Sequence, residues 1–198
     1  MSRRAERKAE NRSKLLAAAR KVFAEKGLAT ATARDIVRET DLATGTFYNY
    51  FDDKEDAFRA VLDEFTTQAR AAAREERLQP GVGIEERVYN AYRAYFELAV
   101  ADPEMFEILR RNADAIAMLG AEDLFEEGVR ELAEDIGQWI EEGQLPAWVA
   151  DWAPYVARQI AGGGFQIAAQ MADEGVSDVG AAARFCTRML LDGLRGSG

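Results

Sequence analysis

Apolar residues recur at helical spacing along nearly the whole chain, and nowhere do they alternate with β-branched residues as a half-buried strand requires. Leu15, Leu16, Ala19, Val22 and Phe23 set the pattern. They fall at i, i+1, i+4, i+7 and i+8, which is one face of a helix over about residues 13–26. Ala, Glu, Arg and Leu dominate, all good helix formers, and proline occurs only 4 times in 198 residues. The pattern predicts an all-α chain of about nine helices.

Helix breakers divide that pattern. Gly27 is expected to end the first helix as a left-handed cap. Thr32 is placed to cap a short second helix with Ile36 and Val37 inward. Asp41 lies in a tight turn, and a third short helix spans about residues 44–50. Asp52-Asp53-Lys54-Glu55-Asp56 offers a capping box, either Asp52 with Glu55 or Asp53 with Asp56. It opens a long helix towards Leu78 with Phe58, Val61, Leu62 and Phe65 inward. Gln79-Pro80-Gly81-Val82-Gly83 is the first clear linker. Helices then follow at about 84–101, 104–116, 121–142, 149–173 and 177–194.

Several function classes lose their means. No stretch approaches the roughly 18 to 20 unbroken apolar residues of a membrane helix, and the charged start MSRRAERK lacks the apolar run of a secretory signal. A single cysteine, Cys186, allows no intrachain disulfide and fits a reducing cytoplasm. Histidine is absent, which removes the usual general base, the usual zinc ligand and the Ser-His and Cys-His nucleophile pairs. No catalytic residue, metal ligand or cofactor site is assigned.

The net charge of -10 argues at first against nucleic acid, but its distribution does not. Residues 1–51 hold 11 Lys and Arg against 6 Asp and Glu, a net of +5, and the remainder holds 14 against 29, a net of -15. A basic head on an acidic body is the asymmetry of a nucleic-acid-binding end. Charges that merely cover a soluble surface would account for it equally.

The stretch TARDIVRETDLATGTFYNYFDDK, residues 32–54, reads as two short helices joined by a turn on a preceding helix, a helix-turn-helix. A helix that enters a major groove needs small residues where base edges are met, and Gly45 and Thr46 supply them. The Thr44 hydroxyl can meet a phosphate. Phe47 and Phe51, four apart, anchor the helix to the core. Tyr48, Asn49 and Tyr50 offer hydroxyls and an amide outward, although Tyr48 also suits a partly buried position. Arg34 is either a DNA contact or a surface ion-pair partner of Glu39. Arg3, Arg4, Arg7, Lys8 and Arg12 form a flexible basic arm that either touches DNA or is simply solvated.

Gly27, Thr32, Arg34-Asp35-Ile36, Gly45-Thr46-Phe47-Tyr48, Tyr50-Phe51 and Lys54-Glu55 stand in the order and spacing of the tetracycline-repressor (TetR) regulators, and the first 60 or so residues resemble that family. The resemblance implies recognition-helix contacts from Thr44, Gly45, Thr46, Tyr48, Asn49 and Tyr50. It also implies phosphate contacts from Thr32 and Lys54, and a small-molecule effector that loosens DNA binding. The turn departs from the family pattern. Thr40-Asp41-Leu42-Ala43 replaces the usual Ala-Gly-Val-Ser, so the serine cap of the recognition helix is gone and Thr44 or Asp41 is left to replace it.

The remaining helices read as a sensing and pairing body. Aromatic residues recur on inward faces, and an apolar cavity touched by Tyr92, Phe96, Phe106, Phe125 and Phe165 is expected, with Asn112 nearby for a polar head. Arg110 and Arg111 are further candidates. Each of these residues also suits plain core packing. Val156, Ile160, Gly163, Ile167 and Met171 form a stripe on the penultimate helix, and Gly162-Gly163-Gly164 implies a close approach or a kink. The last helix, with Phe185, Cys186 and Met189, is apolar nearly all round. A two-fold four-helix bundle would cover both, with Val156, Ile160, Gly163, Ile167, Phe185 and Met189 at the dimer interface.

The sequence therefore predicts a helix-turn-helix DNA-binding domain over 1–52, with its arm at 1–11, and a ligand-binding and dimerisation domain over 53–198. The expected partners are double-stranded operator DNA, a small hydrophobic or amphipathic effector and a second copy of the chain. The alternative is a helical carrier of, or enzyme for, hydrophobic ligands that does not touch DNA.

Overall fold

The structure is a computed structural model that describes residues 3–121, 123–175 and 178–196. Ten α-helices follow one another among them. They are α1 (Arg3–Thr30), α2 (Ala33–Arg38), α3 (Thr44–Phe47), α4 (Lys54–Arg77), α5 (Ile84–Ala101), α6 (Pro103–Arg111), α7 (Ala113–Met118), α8 (Asp123–Glu141), α9 (Ala153–Glu174) and α10 (Val179–Arg195), with a 3₁₀ turn at Ala147–Trp152 before α9. The all-α class is as the periodicity predicts. The extra helix arises because the segment read as one helix over 104–116 breaks at Asn112, whose backbone (φ -114°, ψ 20°) leaves helical geometry.

The chain forms two compact units, Met1–Phe65 with Glu104–Glu122, and Thr66–Pro103 with Asp123–Gly198. The division does not fall at residue 52. Helices α6 and α7, expected in the body, lie almost wholly in the first unit, and α4 belongs to both.

Two further expectations differ in the first unit. The segment read as a flexible arm is helical from Arg3, because Arg, Ala, Glu and Lys run on to Ser13 without a breaker. Its residues 3–10 are exposed. Gly27 does take a positive φ (72°), but with ψ at 160°. The chain swings out of helical geometry there and resumes a turn over 28–30, where a left-handed cap would have ended it. Only glycine adopts that combination without strain. The core of this unit is the stripe the sequence marks. Leu15, Ala19, Phe23, Ile36, Phe47, Phe58 and Leu62 are wholly buried. Phe23 meets Phe58 edge to face at 5.1 Å, and Phe65 meets Phe106 likewise at 5.7 Å. Met105 and Ile108 bring the apolar face of α6 into the same unit.

In the second unit α5 packs on α9 and α10, and α8 on α9. Val88, Ile136, Trp139, Val149, Ala157 and Leu191 lie at its centre. A ladder of ion pairs binds the end of α4 to α8. Arg70 meets Glu127 and Glu131, Arg74 meets Glu131 at 2.9 Å, and Arg77 meets Asp135 at 2.7 Å. The last pair is buried on both sides. On α9 the glycine triplet has divided duties. A Cβ on Gly164 would stand 3.4 Å from Tyr92 Cε1, so it is the position where α5 approaches closely, while Gly162 and Gly163 face open space. Helix α10 has two distinct faces. Ala183, Cys186, Thr187, Leu190 and Leu191 are buried, whereas Phe185 and Met189 are 59% and 65% exposed. Burial pushes the Cys186 thiol up from its ordinary value, which suits a small core hydrophobe.

Candidate nucleic-acid interface

The scaffold of the site is electrostatic on one side and aromatic on the other. Lys14, Lys21 and Lys26 on α1 pair with Asp41, Glu39 and Asp35, at 3.4, 2.5 and 2.8 Å. This ladder fixes α1 against α2 and the turn that follows, and it neutralises three of the five acidic residues of the motif. Thr32 and Asp35 form a reciprocal capping box on α2. The Thr32 hydroxyl accepts from the Asp35 N–H at 3.1 Å, and the Asp35 carboxylate accepts from the Thr32 N–H at 3.0 Å. The Lys26 ammonium, followed by the Thr32 hydroxyl, holds the Asp35 carboxyl down at about 2.

The turn solves its missing serine differently from either expectation. Ala43 is the N-cap of α3 and makes no side-chain cap. Asp41 is taken by Lys14, and the Thr40 hydroxyl braces the turn by donating to Val37 O at 2.8 Å and accepting from Leu42 N–H at 3.2 Å. Helix α3 is pinned from below. Phe47 and Phe51 are buried, with ring centroids 5.4 Å apart. Tyr48 lies edge-on to Phe47 at 5.3 Å but is 60% exposed, so it belongs to the outer face and not to the core.

That outer face gathers most of the residues assigned to DNA. Thr44, Gly45, Tyr48 and Asn49 are exposed, and Thr46 and Tyr50 are half-buried. Nothing stands within 4 Å of a Cβ built on Gly45, so the surface there is flat and open to close approach. Arg34 is exposed and has no ion-pair partner among the described residues, its alternative partner Glu39 being held by Lys21. Thr32 and Lys54 have structural work as well. Thr32 caps α2, and the Lys54 ammonium donates to Leu28 O at 2.8 Å and Ala29 O at 3.3 Å, closing the end of α1. Before α4 only half of the box of Asp53 with Asp56 forms, because the Asp56 carboxylate accepts instead from the Asp52 N–H at 3.1 Å. The Asp53 carboxylate accepts from the Asp56 N–H at 2.7 Å.

Two clamps of the first unit have no sequence forecast. Asn112 is buried, its Oδ1 accepts from the Leu28 N–H at 2.6 Å, and its Nδ2 donates to Ile108 O at 2.7 Å. The Arg59 guanidinium donates to Leu119 O at 2.7 Å, joining the end of α7 to α4. The only prior signal for the first was a polar residue between two apolar-patterned segments, which does not name its partner.

The residues assigned to an effector pocket divide between the units. Tyr92, Phe96, Phe125 and Phe165 lie in the second, where Tyr92 and Phe96 stack at 5.7 Å. Phe106 and Asn112 lie in the first, Phe106 against Phe65 and Asn112 in the clamp just described. Arg110 and Arg111 both turn to Glu107. Of the residues assigned to pairing, Gly163, Phe185 and Met189 are exposed, while Val156, Ile160 and Ile167 are partly buried.

The first unit thus contains a helix-turn-helix, α1 to α3, whose third helix turns a polar outer face with a small-residue N-terminal end to solvent, the form in which a helix is offered to the major groove. Residues 15–61 match the family described as bacterial regulatory proteins, tetR family. The chain is 40% identical over 60 residues to the HTH-type transcriptional regulator HbdR of Aromatoleum sp. (strain CIB), covering 28% of this chain and 26% of that protein. It is 43% identical over 105 residues to the HTH-type transcriptional regulator YvdT of Bacillus subtilis (strain 168), covering 53% and 48%. The match thus spans about a quarter and about half of the length of these relatives. The fold agrees over nearly the whole chain with that of the transcriptional regulator FadR from Bacillus subtilis, solved in complex with stearoyl-CoA, at a TM-score of 0.78 and 18% identity over 91% of this chain and 98% of that one. Residues 15–61 are therefore similar to the DNA-binding part of the tetR-family regulators, and the chain as a whole shares the fold of the FadR structure.

Proposed function

We propose that the protein is a cytoplasmic transcriptional repressor that binds a pseudo-palindromic operator as a homodimer and is released by a small hydrophobic or amphipathic effector. The observation that carries the reading is the outer face of α3. Thr44, Gly45, Tyr48 and Asn49 are exposed over a helix that Phe47 and Phe51 fix from beneath. A dimer holds two such helices about 34 to 36 Å apart, one turn of DNA, or a multiple of it. Phe185 and Met189 on α10 and the open Gly163 on α9 support pairing through these two helices, since large apolar side chains left in water favour a partner.

The effector site is assigned to the second unit, around the stacked Tyr92 and Phe96 with Phe125 and Phe165. Helix α4 belongs to both units and is the covalent route by which an effector there would act on the head. It can do so only if it binds the DNA-incompetent state more tightly. Stearoyl-CoA, bound by the FadR of similar fold, is the first probe of the ligand class.

The test is selection of duplex DNA by the purified protein from a random-sequence library, followed by titration of stearoyl-CoA into the complex. An enriched two-fold symmetric site is expected, and an acyl chain of suitable length should release it and raise the melting temperature of the protein. Enrichment of no sequence, or of an asymmetric one, counts against the operator reading. Release without any thermal stabilisation counts against a specific effector.

A further inference from the structure

The first half of α1 is a helix, and its register carries a consequence for DNA. Arg4, Arg7, Lys8 and Asn11 fall at i, i+3, i+4 and i+7, on one face. That face stands across an open cleft of about 320 Å³ from Asn49 and Tyr50, at the far end of the recognition motif. The cleft therefore joins three cations and two amides to a phenol, with no carboxylate in its lining. The neighbouring basic residues are otherwise engaged. Lys14, Lys21 and Lys26 are spent on Asp41, Glu39 and Asp35, and Arg12 lies 5.8 Å over the Phe51 ring. Arg7 and Lys8 are exposed and have no ion-pair partner among the described residues.

We infer that this cleft is a phosphate-backbone dock. It would hold the sugar-phosphate strand flanking the bases that α3 reads, with Arg7 and Lys8 neutralising phosphates and Asn11, Asn49 and Tyr50 donating hydrogen bonds to them. The inference rests on the DNA-binding reading above and deepens it. It extends the footprint beyond the recognition helix along a preformed helical face, in place of a flexible arm laid in the minor groove. Cations that meet phosphates add affinity for all sequences and release counterions, but they read no base. Positioning is what such a face would supply: a rigid α1 fixes the angle at which α3 enters.

The test uses the full chain and the duplex that the wild type selects from random-sequence DNA. Arg7→Ala with Lys8→Ala should lower the slope of log affinity against log salt by about 2, near 0.9 for each phosphate that is no longer neutralised. The selected sequence should not change. Ala9→Lys, which adds a charge on the opposite side of the helix, should leave the slope alone, whereas a flexible arm would feel that gain as it feels the loss of Arg7. The exchange Arg7→Lys with Lys8→Arg should keep the wild-type slope, which separates lost charge from a lost helix. An unchanged slope in the double-alanine variant overturns the dock, and so does an altered sequence preference, which would mean base reading. A slope that rises with Ala9→Lys by about as much as each lost cation lowers it overturns the helical face. A wild type that binds no duplex in a salt-dependent way removes the DNA-binding reading itself, a result distinct from all of these.

Discussion

Asn112 Oδ1 accepts the backbone N–H of Leu28 at 2.6 Å, joining the junction of α6 and α7 to the residue after the Gly27 bend across 84 positions of sequence. Both groups are buried, and the other end of the amide is tied to Ile108 O. Asn112→Ala leaves a buried N–H without an acceptor, at a cost of about 1 to 3 kcal/mol. Urea denaturation should read that loss, and exchange of the Leu28 amide should accelerate with it. A variant that unfolds at the wild-type midpoint with Leu28 still protected would show that the bond contributes nothing.

The buried pair of Arg77 and Asp135 behaves differently from the partly exposed rungs beside it. Removing one partner strands a charge, so Asp135→Ala is expected to cost about 3 to 5 kcal/mol. Replacing both, Arg77→Met with Asp135→Leu, should recover most of that loss, because the desolvation cost of the pair goes with it. Chemical denaturation of the two single variants and the double variant tests the cycle. Equal destabilisation in the single and double variants would contradict it.

Asp35 sets an acid limit on the head. Its carboxyl is held at about 2 by Lys26 and Thr32, below the ordinary value of 3.8. A depressed carboxylate contributes stability that is fully present above the unfolded value and is lost as pH falls through the folded one. The contribution should therefore fade from about pH 4 down to about pH 2. Melting temperatures of the wild type and Asp35→Asn should differ at neutral pH and converge over that window. A difference that stays constant down to pH 2 would mean that Asp35 is not the titrating group.

Much of this frame is legible in the sequence, because it is written in short-range periodicity. Phe47 and Phe51, four apart, could serve one purpose on a helix that short, and Thr32 with Asp35 announces its cap three residues ahead. What stays hidden depends on partners far along the chain. Nothing local to Lys54 says that the carbonyls of Leu28 and Ala29 come within its reach, so it reads only as a cation at a helix start. The same holds for Lys14, Lys21 and Lys26, whose acceptors lie on the next helix and turn. Asn112 interrupts an apolar pattern that would otherwise run through, and so α6 and α7 read as one helix of the body. The basic arm was legible as charge but not as helix. Exposed charged residues at a terminus suit either state, and the helical one prevails where no breaker intervenes.

Pairing through α9 and α10 predicts that charge at the exposed aromatic position is not tolerated. Phe185→Glu should weaken dimerisation at least roughly thirtyfold, the effect of a residue worth about 2 kcal/mol at an interface centre. Sedimentation across a concentration series reads the constant. A wild type that is monomeric at micromolar concentration, or a variant that pairs as tightly, would contradict the arrangement.

The most direct test of the account is the salt dependence of wild-type binding to the DNA that it selects. With 6 to 10 phosphate contacts, affinity should fall by about 10³ to 10⁵ between 50 and 200 mM salt. That result is expected if the head formed by α1, α2 and α3 docks on duplex DNA. An affinity that stays flat across the same range would show that phosphates are not its partner, and the reading of this chain as a DNA-binding regulator would fail.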